Sequence, residues 1–160
     1  MTKIYIETKI RSPIDRVFDL SRSIDAHIDS AGSTAERAIA GKTSGLIGLG
    51  ETVTWSALHF GVRQKLTIRI VEFSPPHSFS DVMVSGAFKS MHHRHTFTQD
   101  GDETLMKDYF EFEAPLGVIG VLAEKLVLYK YMERFLMVRN ETIKAIAEGD
   151  QWQRFLNRPL

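Results

Sequence analysis

Two histidines and one aspartate carry the chemistry this sequence could perform. His93 and His95 stand two apart in Ser90-Met-His-His-Arg-His-Thr-Phe97, and Asp108 stands in the next apolar-polar run, Thr104 to Glu113. If both runs are strands, alternate residues share a face. Met91 and Phe97 then mark the face of His93 and His95 as the inner one, and Met106, Phe110 and Phe112 do the same for Asp108. His92 and Arg94 fall on the wet side. A buried, unpaired carboxylate is costly, so Asp108 needs a partner, and a histidine of the neighbouring strand is the natural one. Such a pair fixes one imidazole tautomer and can raise its pKa.

Three readings of His93, His95 and Asp108 stay open. They could form a polar pair that only orients sheet and helix, a polar floor that orients a ligand, or an acid–base catalytic group. His-x-His with Asp108 could also supply metal ligands, but the pattern is unspecific and cysteine is absent, so no metal and no cofactor is assigned. No serine sits on a glycine-flanked elbow. Gly41-Lys42-Thr43 resembles the end of a phosphate loop, yet Glu36 stands where that motif needs glycine; Gly45, Gly48 and Gly50 miss the dinucleotide spacing. This stretch reads as a flexible loop feeding a strand, or the mobile lip of a pocket.

Stepwise along the chain, the positioning elements are mostly strands. Ile4, Ile6 and Ile10 alternate with polar residues in a first strand. Ser12 and Pro13 then open a helix as N-cap and first residue, with Val17, Phe18 and Leu20 on its buried side. A short helix follows around Ile24–Ser30, then a short strand near 36–41. Strands at Glu51–Phe60, with Trp55 and His59 facing inward, and at Val62–Phe73 meet at Gly61. Ser74-Pro75-Pro76 turns the chain into Phe79–Val84, and Asp100-Gly101 joins Phe88–Phe97 to Thr104–Glu113. Pro115 to Glu148 reads as one long helix, with a break near Gly117–Gly120 and Gly149 as its stop. Its apolar stripe, including Leu122, Leu126, Tyr129, Met132, Leu136 and Ile143, is wider than a surface helix needs. The predicted class is α+β: a curved antiparallel sheet wrapped around a long C-terminal helix.

With 160 residues and 43% hydrophobic content, the chain can build one core; residues 1–149 are expected to form a single ligand-binding domain and 150–160 a tail. Twenty basic and twenty acidic residues cancel, which removes any global pull toward nucleic acid. No run approaches the length of a transmembrane segment, and the N-terminus alternates instead of forming a signal-peptide core, so a cytoplasmic protein is expected.

The combined pattern resembles the START-like, or SRPBCC, superfamily, which includes polyketide cyclase/dehydrases, birch-pollen-allergen-type proteins and lipid-transfer domains. The opening strand with Ser12-Pro13-Ile14-Asp15-Arg16-Val17-Phe18 resembles the family's entry. Gly50-Glu-Thr-Val-Thr-Trp55, His59-Phe60-Gly61, Phe73-Ser-Pro-Pro-His-Ser-Phe79 and Gly86 through Phe97 resemble its bacterial cyclase/dehydrase branch, as does Asp108 ahead of Pro115-Leu116-Gly117. The resemblance spans Ile4 to about Glu148. It implies a helix-grip fold around an elongated apolar cavity, with Trp55, His59, His93, His95 and Asp108 as cavity residues. Met91, Phe97, Met106, Phe110, Leu122 and Leu126 are the further candidates to line it.

The leading expectation is binding of a hydrophobic or amphipathic small molecule: a lipid, polyketide or polycyclic compound. The alternatives are a cyclase or dehydratase with His93, His95 and Asp108 as a proton relay, and an adaptor that docks a protein partner or a second copy through the helix face. Trp152, Phe155 and Leu156 of the tail could pack on the domain or on such a partner.

Overall fold

A computed structural model describes residues 1–114 and 121–156; for 121–125 it describes the helix backbone alone. The alternating N-terminal segment forms β1 (Thr2–Ile10), followed by α1 (Ile14–Ser21), α2 (Ile24–Ser30) and a 3-10 turn over Gly32–Thr34. The strands β2 (Arg37–Gly41), β3 (Thr52–His59), β4 (Val62–Ser74), β5 (Ser78–Ser85), β6 (Ser90–Asp100) and β7 (Glu103–Glu113) follow in turn. Two helices close the chain, α3 (Val121–Glu148) and α4 (Trp152–Leu156). All seven strands make one antiparallel sheet in the order β1-β7-β6-β5-β4-β3-β2.

The expected α+β helix-grip architecture is therefore present. Irregularities between Ala38 and Ala40 and at Thr67/Ile68 and Ile70/Glu72 break the regular pairing; such bulges bend and twist a sheet. The curved inner face carries Ile4, Val53, Ile68, Phe79, Phe97, Met106 and Phe112, which pack with Met132, Leu136 and Ile143 of α3. Phe18 of α1 anchors the other side of the core. Its ring lies 5.6 Å from Phe73, 5.6 Å from Phe79 and 5.4 Å from Phe97, within the range of favourable aromatic pairs.

Local chemistry explains the joints. Gly101 takes φ 60 in the two-residue turn that pairs Asp100 with Glu103. Gly41 has φ 73, and a Cβ there would sit 2.2 Å from the carbonyl oxygen of Thr52, so only glycine fits. Ser23 caps α2 by accepting from the Ala26 amide.

Four expectations need correction or limits. Ser12 does not cap α1: Pro13 occupies that position, and the buried Ser12 hydroxyl has no hydrogen-bond partner among the described residues. The Ser12 carbonyl instead accepts from Thr104 Oγ1 at 2.7 Å, so the residue ties the helix entry to β7. The glycine-rich stretch is pinned, since Gly45 accepts from the Ile24 amide, Ile47 donates to Arg22, and Gly45 donates to Asp25 Oδ2. The helix start and break expected over 115–120 lie outside the described residues. Finally, Leu126 is 55% exposed, and Val127, Met137 and Val138 also face outward on α3.

The tail folds back on the domain. Phe155 of α4 is buried, Trp152 and Leu156 pack against the core, and the Arg16 guanidinium of α1 lies 4.0 Å over the Trp152 ring. Among the described residues, no helix is long and apolar enough to cross a membrane.

Candidate functional site

Register places the expected polar residues together. On the inner face His95 of β6 stands opposite Asp108 of β7, and Asp81 of β5 stands opposite His93. Asp108 is fully buried, and its two oxygens gather donors from two elements, β6 and α3. His93 Nε2 lies 2.9 Å from Oδ1 and Asn140 Nδ2 donates to Oδ2 at 2.6 Å. Arg139 Nη1 reaches Oδ1 at 3.5 Å. His95 Nδ1 also lies 2.8 Å from Oδ1, close but poorly aligned for a hydrogen bond.

Arg139 and Asn140 bind the network to the rest of the fold. The guanidinium donates to the Asn140 side-chain oxygen at 3.0 Å and to the Ser21 carbonyl at 3.1 Å, while Asn140 Nδ2 also reaches Thr8 Oγ1 at 3.2 Å. One carboxylate thus joins β1, β6, β7, α3 and, through Ser21, the end of α1. Sequence reasoning missed Arg139 and Asn140, although a signal existed. Both fall between Leu136 and Ile143 at three-to-four spacing, so the apolar stripe of α3 carries them inward. It also missed Asp81, which shares strand parity with the buried Phe79.

Electrostatics follow from this packing. Burial opposes the Asp108 charge, but the hydrogen bond from His93 and the close imidazole of His95 prevail and hold it well below the usual carboxylate range. Burial likewise opposes the charge of Asp81, and His95, His93 and Arg139 together pull its pKa down. Desolvation dominates at His93; with repulsion from His95, it outweighs Asp108 and lowers the pKa to about 4. His93 is therefore a neutral imidazole at pH 7. An ionised Asp108 can only accept, so His93 carries its proton on Nε2 and keeps a free lone pair on Nδ1. Asp81, His93 and His95 also offer ligand atoms within 4.8 Å of one another, a donor set of the kind that suits a divalent transition metal.

The cluster opens onto a cavity between sheet and α3. One chamber, of about 120 Å³, is lined by Asp81, His93, His95 and Arg139 with Met91, Phe110 and other apolar residues. A second chamber, of about 200 Å³, is lined by Ala57, His59, Phe60 and Tyr131, with Leu128 of α3 on its wall. Glu36, Trp55, Leu66, Phe88, Met132 and Phe135 line both, so the chambers meet at a shared waist. At the outer end His59 Nδ1 pairs with the Tyr131 hydroxyl at 2.6 Å. Burial lowers the pKa of His59 and raises that of Tyr131, leaving both neutral.

The sequence-selected residues thus divide. Trp55, His59, Met91, His93, His95 and Phe110 line the cavity. Asp108 lies behind the histidines and supports them. Phe97 and Met106 belong to the solid core beside Phe18 and Ser21. Leu126 faces outward, and the side chain of Leu122 lies outside the described residues.

Solved structures share this fold. The Zhui aromatase/cyclase from Streptomyces sp. R1128 superposes with a TM-score of 0.73 at 14% identity, covering 92% of this chain and 93% of that one. The chain has the START-like helix-grip fold. A ginseng major latex-like protein from Panax ginseng gives a TM-score of 0.66 at 18% identity, over 92% of this chain and 98% of its own. A START superfamily protein from Mycobacterium smegmatis gives 0.67 at 11% identity, over 90% and 98%. No family model and no curated protein sequence matches. At these identities the likeness establishes the START-like fold alone.

Proposed function

We propose that the protein binds a hydrophobic or amphipathic small molecule, of lipid, polyketide or polycyclic type, in the two-chambered cavity. The observation that carries this reading is the cavity itself: two adjoining, mostly apolar chambers between sheet and α3, with buried polar groups at their ends and waist. Burying apolar ligand surface there would contribute about 25 cal/mol per Å², before the costs of association. Ala57 is 3% exposed and lines the outer chamber. Native mass spectrometry of gently purified protein is expected to show an extra mass that is released on denaturation. Ala57→Trp should abolish that mass while the circular dichroism spectrum is kept. A folded Ala57→Trp variant that retains the bound compound would overturn the placement.

A second reading, an acid–base enzyme of cyclase or dehydratase type, draws on the backing of His93 and His95 by Asp108 at the inner chamber. The likeness to an aromatase/cyclase fits it. In a dehydration the Nδ1 lone pair of His93 would take a proton from a carbon beside a carbonyl. The resulting imidazolium would return it to the departing hydroxyl, which leaves as water. His93→Gln and His95→Gln should then remove turnover and spare affinity; equal loss of both would leave binding as the role.

A further inference from the structure

Glu36 is the buried charge that the polar end of the cavity does not use. It precedes β2, directly after Ala35, whose left-handed backbone (φ 47) ends the Gly32–Thr34 turn. Glu36 is 8% exposed and belongs to the lining of both chambers, so it stands at their waist. Its Oε2 is buried and has no hydrogen-bond partner among the described residues. The nearest imidazole nitrogen, His27 Nε2, is 3.3 Å away but out of line for a hydrogen bond, while the His27 ring stacks at 4.3 Å on Trp55. Burying such an oxygen without a donor is costly, and a bound neutral ligand would seal that cost in by expelling water.

The walls around this carboxylate are aromatic. Trp55, Phe60, Phe88, Tyr131 and Phe135 line the outer chamber with it. The other titratable groups facing the chamber are His59, held neutral by burial, the Tyr131 phenol, and Lys65, which is exposed on β4. An anionic headgroup would meet Glu36 in a poorly hydrated space. A cation would satisfy Oε2 and lie against the negative faces of the rings.

Resting on the cavity-binding reading above, we infer that the natural ligand carries a positively charged nitrogen attached to an aromatic or alkyl body, with the nitrogen on Glu36 and the body in the aromatic chamber. The site is an amine receptor within a lipid-like cavity. Its selectivity comes from one carboxylate short of a hydrogen-bond donor and not from the His93–Asp108 network.

Three probes and one variant test this on the full chain. Phenethylamine, cationic at pH 7, and its neutral near-isostere 2-phenylethanol are titrated by calorimetry; the neutral dye N-phenyl-1-naphthylamine reports the cavity by fluorescence. The amine should bind at least about tenfold tighter than the alcohol, and Glu36→Gln, folded by circular dichroism, should bring the two to equal affinity. Equal affinities in the unmodified protein, or a preference for the amine that survives Glu36→Gln, overturn the inference. Dye binding without any amine preference sinks this inference alone. If neither the dye nor either probe binds, the cavity reading falls with it.

Discussion

The inner end of the cavity and its waist bury carboxylates in opposite ways. Asp108 is met by His93, Asn140, Arg139 and the edge of His95, and it lies behind the cavity wall. Glu36 lies on the wall, with an oxygen that receives no hydrogen bond from the described residues. A carboxylate whose acceptor sites are filled from several elements specifies how those elements meet. One left short of donors is poised for a molecule from outside.

The largest effect should come from breaking the filled end. Asp108→Ala leaves Arg139, Asn140 and two imidazoles without their common acceptor and should cost about 3–5 kcal/mol in urea unfolding. A loss below about 1 kcal/mol would show that the network does not organise the core. Acid should probe the same end next. The folded protein keeps His93 neutral down to about pH 4, whereas in the unfolded chain it protonates near its ordinary 6.5. Between those values the unfolded state binds more protons, so stability should fall as pH drops from 6.5 to 4, by about 3 kcal/mol in all. Asp108 extends the loss below its ordinary 3.8, because its folded pKa is depressed. His93→Gln should flatten the profile above pH 4; an unchanged slope would assign it to other groups.

The unfilled carboxylate at the waist should respond in binding and hardly in stability. Glu36→Gln is expected to change unfolding free energy by less than about 1 kcal/mol in either direction, since no hydrogen bond to Oε2 is lost. A loss as large as that of Asp108→Ala would erase the contrast. The smallest effect lies outside the cavity: Arg16→Ala removes the guanidinium over Trp152 and should cost about 0.5–1 kcal/mol, read as a small drop in thermal midpoint.

Much of this site could be read before any fold was known, because strand parity is a strict code. A period of two puts His93, His95 and Asp108 on the face of Met91, Phe97 and Met106 whatever else the chain does. Cavity against solid core was not legible in the same way. Phe97 and Phe110 share that face and an apolar character, yet Phe97 is clamped by Phe18 of α1 while Phe110 lies open to the inner chamber. Leu126 shows the same limit on a helix, where a wide apolar stripe cannot tell which side the sheet covers.

The sequence by itself determined the elements, their buried faces and the inward aim of one histidine pair and one aspartate, since periodicity, turn residues and burial cost act locally. Only the tertiary structure decided the partners. Arg139 and Asn140 reach Asp108 across 31 and 32 residues of chain, and Glu36 meets Trp55, Phe88 and Phe135 through a left-handed turn at Ala35. Those encounters depend on how α3 crosses the curved sheet, a geometry set by the packing of all seven strands and contained in no single stretch of the chain.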